Sequence, residues 1–128
     1  MSEAERNILD YIQDILTSIL EVEEFIEGIT FEDFSKDKKT VNAVIRSLEV
    51  LGEATRHIPR NIRAKYKEVP WAKMSGLRNV LIHEYMGVDL KTVWNIVTKR
   101  IQELKPSIVY IKANLNKAKK KSNKGVCT

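Results

Sequence analysis

Residues 8–26 read ILDYIQDILTSILEVEEFI. Ile8, Ile12, Ile15, Ile19, Val22 and Ile26 recur at steps of 4, 3, 4, 3 and 4, and Leu9, Leu16 and Leu20 widen the stripe. That spacing is the one-face period of an amphipathic α-helix and not the alternation of a strand. Upstream, Ser2 with Glu5 three residues on forms a capping-box pattern for the start of this helix. Downstream, Gly28 is a stop signal. Residues 29–36, ITFEDFSK, read as a connector pinned by Phe31 and Phe34.

The same period continues outward. A second helix is predicted from about Lys38 to Ile58, with Val41, Val44, Ile45, Leu48, Leu51 and Thr55 on its apolar line. Gly52 lies in it, where a small residue lets a neighbouring backbone approach. Pro59 and Pro70 suit the openings of two short helices, residues 60–66 and about 71–85, and Gly87 ends the latter. Asp89 is a good N-cap for a fifth helix. Its stripe runs through Val93, Val97, Ile101, Leu104, Ile108, Ile111 and Leu115, and Pro106 is expected to kink or split it. No alternating strand pattern is found. The expected fold is therefore an all-α, up-and-down helical bundle of about five helices, three long and two short. Residues 1–116 form the domain and 117–128 a basic, flexible tail. A bundle this small leaves apolar surface over, which dimerisation would cover.

Composition narrows the function classes. At 128 residues the chain is one domain's worth, and 43% hydrophobic content is too high for a disordered segment. No apolar run reaches the roughly 18–20 residues of a membrane span. The single cysteine, Cys127, excludes a disulfide framework and points to a reducing, cytoplasmic setting. The net charge of +5 is unevenly spread. Residues 105–128 carry seven lysines and no acid, whereas residues 1–33 carry ten acids against Arg6 alone. A basic end suits phosphates, so Lys112, Lys117, Lys119, Lys120 and Lys121 are candidate phosphate contacts; a solvated, lysine-rich terminus accounts for the same composition.

There is no Cys pair, H-x-x-x-H spacing, phosphate-cradling glycine loop or G-x-S-x-G in the sequence, so no metal or cofactor site is expected. His57, at the end of the second helix, reads as structural. Trp71 and Trp94 fall on apolar stripes and read as core. Residues 76–89, GLRNVLIHEYMGVD, are different, because they gather Arg78, Asn79, His83, Glu84 and Tyr85. At about 100° per residue, Trp71, Met74, Leu77, Val80, Leu81 and Ile82 share an arc that also holds Arg78 and Tyr85. An unpaired guanidinium there would be costly, so Arg78 needs a carboxylate, for which Glu53 is the candidate, or a bound phosphate. Ala72, Gly76, Asn79 and His83 form a separate stripe that would admit another helix. Arg78 and His83 stand about 140° apart, so they flank one cleft only if the arginine reaches round or a second protomer supplies a copy. Spacing alone leaves two accounts open: a buried arginine pair with a capping histidine, or a catalytic pair.

Arg78-Asn79-x-x-x-His83-x-Tyr85 resembles the R-x4-H-x-Y signature of the HEPN superfamily. Within it, the chain looks like the HepT-like toxins, which are paired with MNT-type minimal nucleotidyltransferase antitoxins. LEVLGEATRHIP (48–59), PWAKMSGLRN (70–79) and VDLKTVW (88–94) extend the likeness over roughly residues 5–115. The resemblance implies a homodimeric, metal-independent endoribonuclease of a type II toxin–antitoxin system. Arg78 and His83 would be the catalytic pair in a cleft between protomers, with Asn79 as polar companion. Tyr85 would be the tyrosine that the nucleotidyltransferase silences by adding AMP. The alternative from another class is a non-catalytic nucleotide- or protein-binding helical dimer that partners such a nucleotidyltransferase. A third is a structural bundle with a buried Arg–Glu pair.

Overall fold

A computed structural model describes residues 3–77, 79, 81 and 89–127, with side chains for 7–77, 79, 81 and 89–118. Helices α1 (Glu3–Ile26), α2 (Phe31–Lys36), α3 (Lys38–Arg56), α4 (Arg60–Lys65) and α5 (Trp71–Ser75) come first. After them, α6 (Leu90–Asn95), a π-helical turn (Ile96–Arg100) and α7 (Ile101–Cys127) follow without a break. No strand occurs among the described residues, and the architecture is the all-α bundle that the periodicity predicts.

The core forms where the stripes meet. Ile12, Ile15, Ile19 and Val22 of α1, Val44, Leu48 and Leu51 of α3, and Ile108 and Ile111 of α7 are completely buried. At about 25 cal/mol per Å² of apolar surface removed from water, this interlocked set supplies the main stabilising term of the bundle. Lys105 Nζ meets the Glu23 carboxylate at 2.9 Å, a partly exposed bridge from α7 to α1. Trp71 is buried, with its indole N–H donating to the Tyr66 carbonyl at 2.9 Å; Trp94 packs on Phe31 and Phe34.

The helix ends follow local chemistry. Gly28 adopts φ +74°, a left-handed conformation that glycine enters without a Cβ penalty, and α1 stops there. Asp37 caps α3 through Thr40, and Asp89 caps α6 through Thr92. Arg63 closes α3 from outside: its guanidinium donates to the carbonyls of Thr55 (2.8 Å) and Ile58 (3.0 Å). Ser2 lies outside the described residues, as does the Glu5 side chain.

Several local expectations are revised. The connector 29–36 contains a helix, α2, closed by a capping box in which Thr30 Oγ1 accepts from Asp33 N–H and Asp33 accepts from Thr30 N–H. Pro59 and Pro70 stand at the N-cap, one position ahead of the first helical turn. The helix from Trp71 ends at Ser75, with Gly76 as its C-cap, and helical backbone resumes at Leu77. Pro106 does not split the last helix, because α7 runs through it. A separate irregularity sits upstream, where Ile101 N–H bonds to the Ile96 carbonyl in a π turn. Val93, Val97 and Ile101 are separated by two successive steps of four, which would swing the apolar stripe round by about 80° on a straight α-helix. The wider i→i+5 turn takes up that drift and keeps all three buried. Residues from Lys117 onward continue α7 as helix to Cys127.

Candidate functional site

The segment between α5 and α6 is anchored at both ends. Gly76 N–H donates to the Ala72 carbonyl at 3.0 Å, and Asn79 N–H to the Gly76 carbonyl at 3.1 Å. Leu77 and Leu81, one helical turn apart, are both buried, alongside Trp71 and Met74. The described members of the apolar arc, Trp71, Met74, Leu77 and Leu81, are thus all turned to the core. At the other end, the Asp89 carboxylate accepts from Thr92 N–H (3.3 Å) and Thr92 Oγ1 (2.8 Å). These bonds hold its pKa below the ordinary 3.8; the hydroxyl bond is the largest cause and the backbone bond the next.

Arg78, His83 and Tyr85 lie outside the described residues. Asn79 is exposed, and so is Ala72, with Gly76 half-exposed between them. The stripe of small residues is therefore uncovered by any described helix of the same chain. Glu53 is also exposed, and its carboxylate faces Arg56 Nη1 at 3.7 Å and His57 Nε2 at 3.5 Å. It sits in the outer seam of α1 and α3, beside Tyr11. Its expected pairing with Arg78 falls outside the described residues. Lys112 is half-buried and Lys117 exposed, whereas the side chains of Lys119, Lys120 and Lys121 are among those not described. No group of three His, Cys, Asp or Glu suited to hold a metal occurs among the described residues. Nor, among them, is any helix long and apolar enough to cross a membrane.

Sequence reasoning missed two tertiary arrangements. The His57 imidazole stacks on Tyr11 at 4.7 Å and 12°, joining α3 to α1. Asn114 Nδ2 donates to Tyr66 Oη at 3.1 Å, joining α7 to the turn after α4. Neither has a local pattern, since each pairs residues far apart in the chain. A third feature is a groove of about 850 Å³ between α5, α6 and the start of α7. Leu77 and Asp89, which stand on either side of the stretch carrying Arg78 and His83, both line it.

Comparison with known proteins supplies the remaining observation. A family model described as "Ribonuclease HepT-like" matches residues 15–111. "Probable ribonuclease HepT" of Thermococcus cleftensis is 46% identical over 100 residues, covering 78% of this chain and 91% of its own. "Putative RNase MJ0127" of Methanocaldococcus jannaschii is 42% identical, over 75% of this chain and 79% of its own. "Putative RNase TTE0752" of Caldanaerobacter subterraneus subsp. tengcongensis is 41% identical, over 77% and 88%. No solved structure gives a significant match.

Proposed function

Because the chain belongs to the HepT-like ribonuclease family, we propose that it is a toxin endoribonuclease that cuts RNA without a metal ion. The observation that carries this reading is the family match across residues 15–111, which includes the whole motif from Arg78 to Tyr85.

The chemistry follows from the residues. RNA brings its own nucleophile, so no metal-bound water is required. His83 takes the proton of the 2′-OH, a task that suits an imidazole because a free one titrates at about 6.5, near neutrality. The 2′-oxygen attacks phosphorus, the P–O5′ bond breaks, and the products are a 2′,3′-cyclic phosphate and a 5′-hydroxyl. Arg78 stabilises the growing charge on the phosphoryl oxygens with its planar fork of donors. Asn79 supports the phosphate from the exposed stripe. Two copies related by a two-fold axis place a second His83 in the cleft, to protonate the departing 5′-oxygen. The uncovered stripe of Ala72 and Asn79 supports this arrangement, since it offers a face for the second copy to cover.

Control in this proposal is covalent. An MNT-type nucleotidyltransferase directs the Tyr85 phenol onto the α-phosphorus of ATP, pyrophosphate leaves, and AMP remains on the tyrosine. The added charge and bulk beside Arg78 exclude RNA by repulsion and occlusion. The setting is the cytoplasm, where RNA and ATP are both at hand.

The test is cleavage of single-stranded RNA in EDTA. Arg78→Ala and His83→Ala should each abolish it while circular dichroism stays helical; unchanged cleavage in either variant overturns the catalytic assignment. Intact mass after incubation with the nucleotidyltransferase and ATP tests the control. The gain should vanish in Tyr85→Phe, and a persistent gain refutes Tyr85 as acceptor.

A further inference from the structure

The groove between α5, α6 and α7 has no role in the chemistry above. Its volume, about 850 Å³, lies within the roughly 300–1,000 Å³ of small-molecule sites. Its floor is apolar, with Met74, Leu77, Ile96 and Leu104 all buried. Three exposed cations on three separate elements stand along it: Lys73 on α5, Lys91 on α6 and Arg100 in the π turn. Lys73 and Arg100 make no ion pair among the described residues. Lys91 acts on Asp89, whose carboxylate oxygens are already committed to Thr92. The exposed Asn95 amide adds a donor and an acceptor at the edge.

We infer that this groove holds one unstacked nucleotide of single-stranded RNA next to the bond that is cut. The inference rests on the nuclease reading for its substrate, but it concerns residues outside the motif. Single-stranded RNA is recognised by unstacked bases laid on aromatic rings or guanidinium planes; here Arg100 supplies the plane, and the apolar floor keeps water from beneath the base. Lys73 and Lys91 supply point charges for the flanking phosphates. Glu68 and Glu103 also line the groove. Their carboxylates repel a phosphate but accept from base amines, so they favour a base within the groove over backbone running along it. Leu77 and Asp89 both line the groove and flank the Arg78–His83 stretch in the chain, which is why the seated nucleotide is assigned next to the bond that is cut. The π turn, Ile96–Arg100, contributes Ile96 and Arg100, about one turn apart, to the same groove.

The experiment uses the full chain and a fluorescein-labelled 2′-O-methyl oligoribonucleotide, which lacks the nucleophile and cannot be cut. Fluorescence anisotropy gives Kd at several salt concentrations. Arg100→Ala should raise Kd about tenfold, as for loss of a base-reading arginine. Lys73→Ala and Lys91→Ala should each flatten the salt slope by about 0.7, the value for one phosphate contact on a single strand. Arg46→Ala, on the far α1–α3 seam, should leave Kd unchanged. With cleavable RNA the groove variants should raise KM and spare kcat. Unchanged Kd in all three groove variants overturns the inference, as does an equal loss in Arg46→Ala. A change in sedimentation mass of the RNA-free variants with Kd unmoved also overturns it, in favour of a protein-docking face. If Arg78→Ala and His83→Ala keep cleaving, the catalytic assignment falls while the anisotropy result still decides the groove.

Discussion

The Glu23 carboxylate receives Lys105 Nζ at 2.9 Å, across the boundary of α1 and α7 and 82 residues apart in the chain. About a third of each side chain is exposed, so water screens the pair. We expect Lys105→Met and Glu23→Gln to cost about 0–1 kcal/mol each. The double variant should cost less than the sum, because each single change strands the other charge. A urea double-mutant cycle measures this; full additivity would mean that the pair contributes nothing.

Arg63 matters more. Its guanidinium donates to the carbonyl of Thr55, in the last turn of α3, and to that of Ile58 just beyond it. Arg63→Met keeps the aliphatic stem and removes both donors. The expected loss is about 1–3 kcal/mol, the range for hydrogen bonds from a charged group. Equilibrium denaturation should show a lower midpoint at unchanged m; no shift would mean that water replaces the guanidinium without cost.

Asp37 and Asp89 set the acid limb of stability. In each, the threonine hydroxyl is the largest cause of a pKa below 3.8, followed by the threonine backbone N–H. A depressed folded pKa means that the stabilisation is present above the unfolded value and is lost as pH falls through the folded one. Thermal melts should therefore show Tm dropping as pH goes from about 4 to below the depressed values. Asp37→Ala and Asp89→Ala should lower Tm at pH 7 by removing a cap, and flatten that acid slope. An unchanged slope in the double variant would place the acid sensitivity elsewhere.

Much of this architecture was legible in the chain, because helix period and capping are local. The α1 stripe, the start of α3 at Lys38 and the Asp89 cap all stand where spacing puts them. Helix α2 was not legible, since six residues with Phe31 and Phe34 are too few to display a period, and its capping box uses Asp33 in place of the usual Glu or Gln. The π turn left a trace in the two successive steps of four, but a proline nine residues after Val97 drew the expected irregularity to itself. The candidate site divides the same way. Its anchors, Leu77, Leu81 and Asp89, follow from period and capping. The roles of Arg78, His83 and Tyr85 came from resemblance, because spacing placed the first two about 140° apart and could not join them. The groove lined by Leu77 and Asp89 depends on helices brought together only by folding.

Ser18 is a mismatch inside the α1 stripe. It is 1% exposed, and its Oγ has no hydrogen-bond partner. A buried, unsatisfied hydroxyl costs more than it returns. We expect Ser18→Ala to raise stability by about 1–2 kcal/mol, combining the removed hydroxyl with better helix propensity. Thr17→Ala, on the exposed side of the same turn, is the reference; its Oγ1 accepts from the Gln13 amide at 3.0 Å, so its gain is a lower bound on propensity alone. Equal gains in both would show that the Ser18 hydroxyl carries no penalty.

The lysines of α7 should not act as a uniform cloud. At about 100° per residue, positions 117, 120, 121 and 124 fall within about 60° of one line along the helix, whereas 112 and 119 fall on other faces. Lys112 is also half-buried, which removes it from the free surface. A phosphate backbone tracking the helix would therefore meet the first set. Lys117→Ala, Lys120→Ala and Lys121→Ala combined should flatten the salt slope of RNA binding by about 2, at about 0.7 per contact on a single strand. The pair Lys112→Ala and Lys119→Ala should flatten it by less than half as much. Anisotropy titrations at four salt concentrations separate the cases. Equal slopes for the two sets would mean that the charge acts without register, and unchanged affinity after deleting residues 117–128 would take this helix end out of RNA binding altogether.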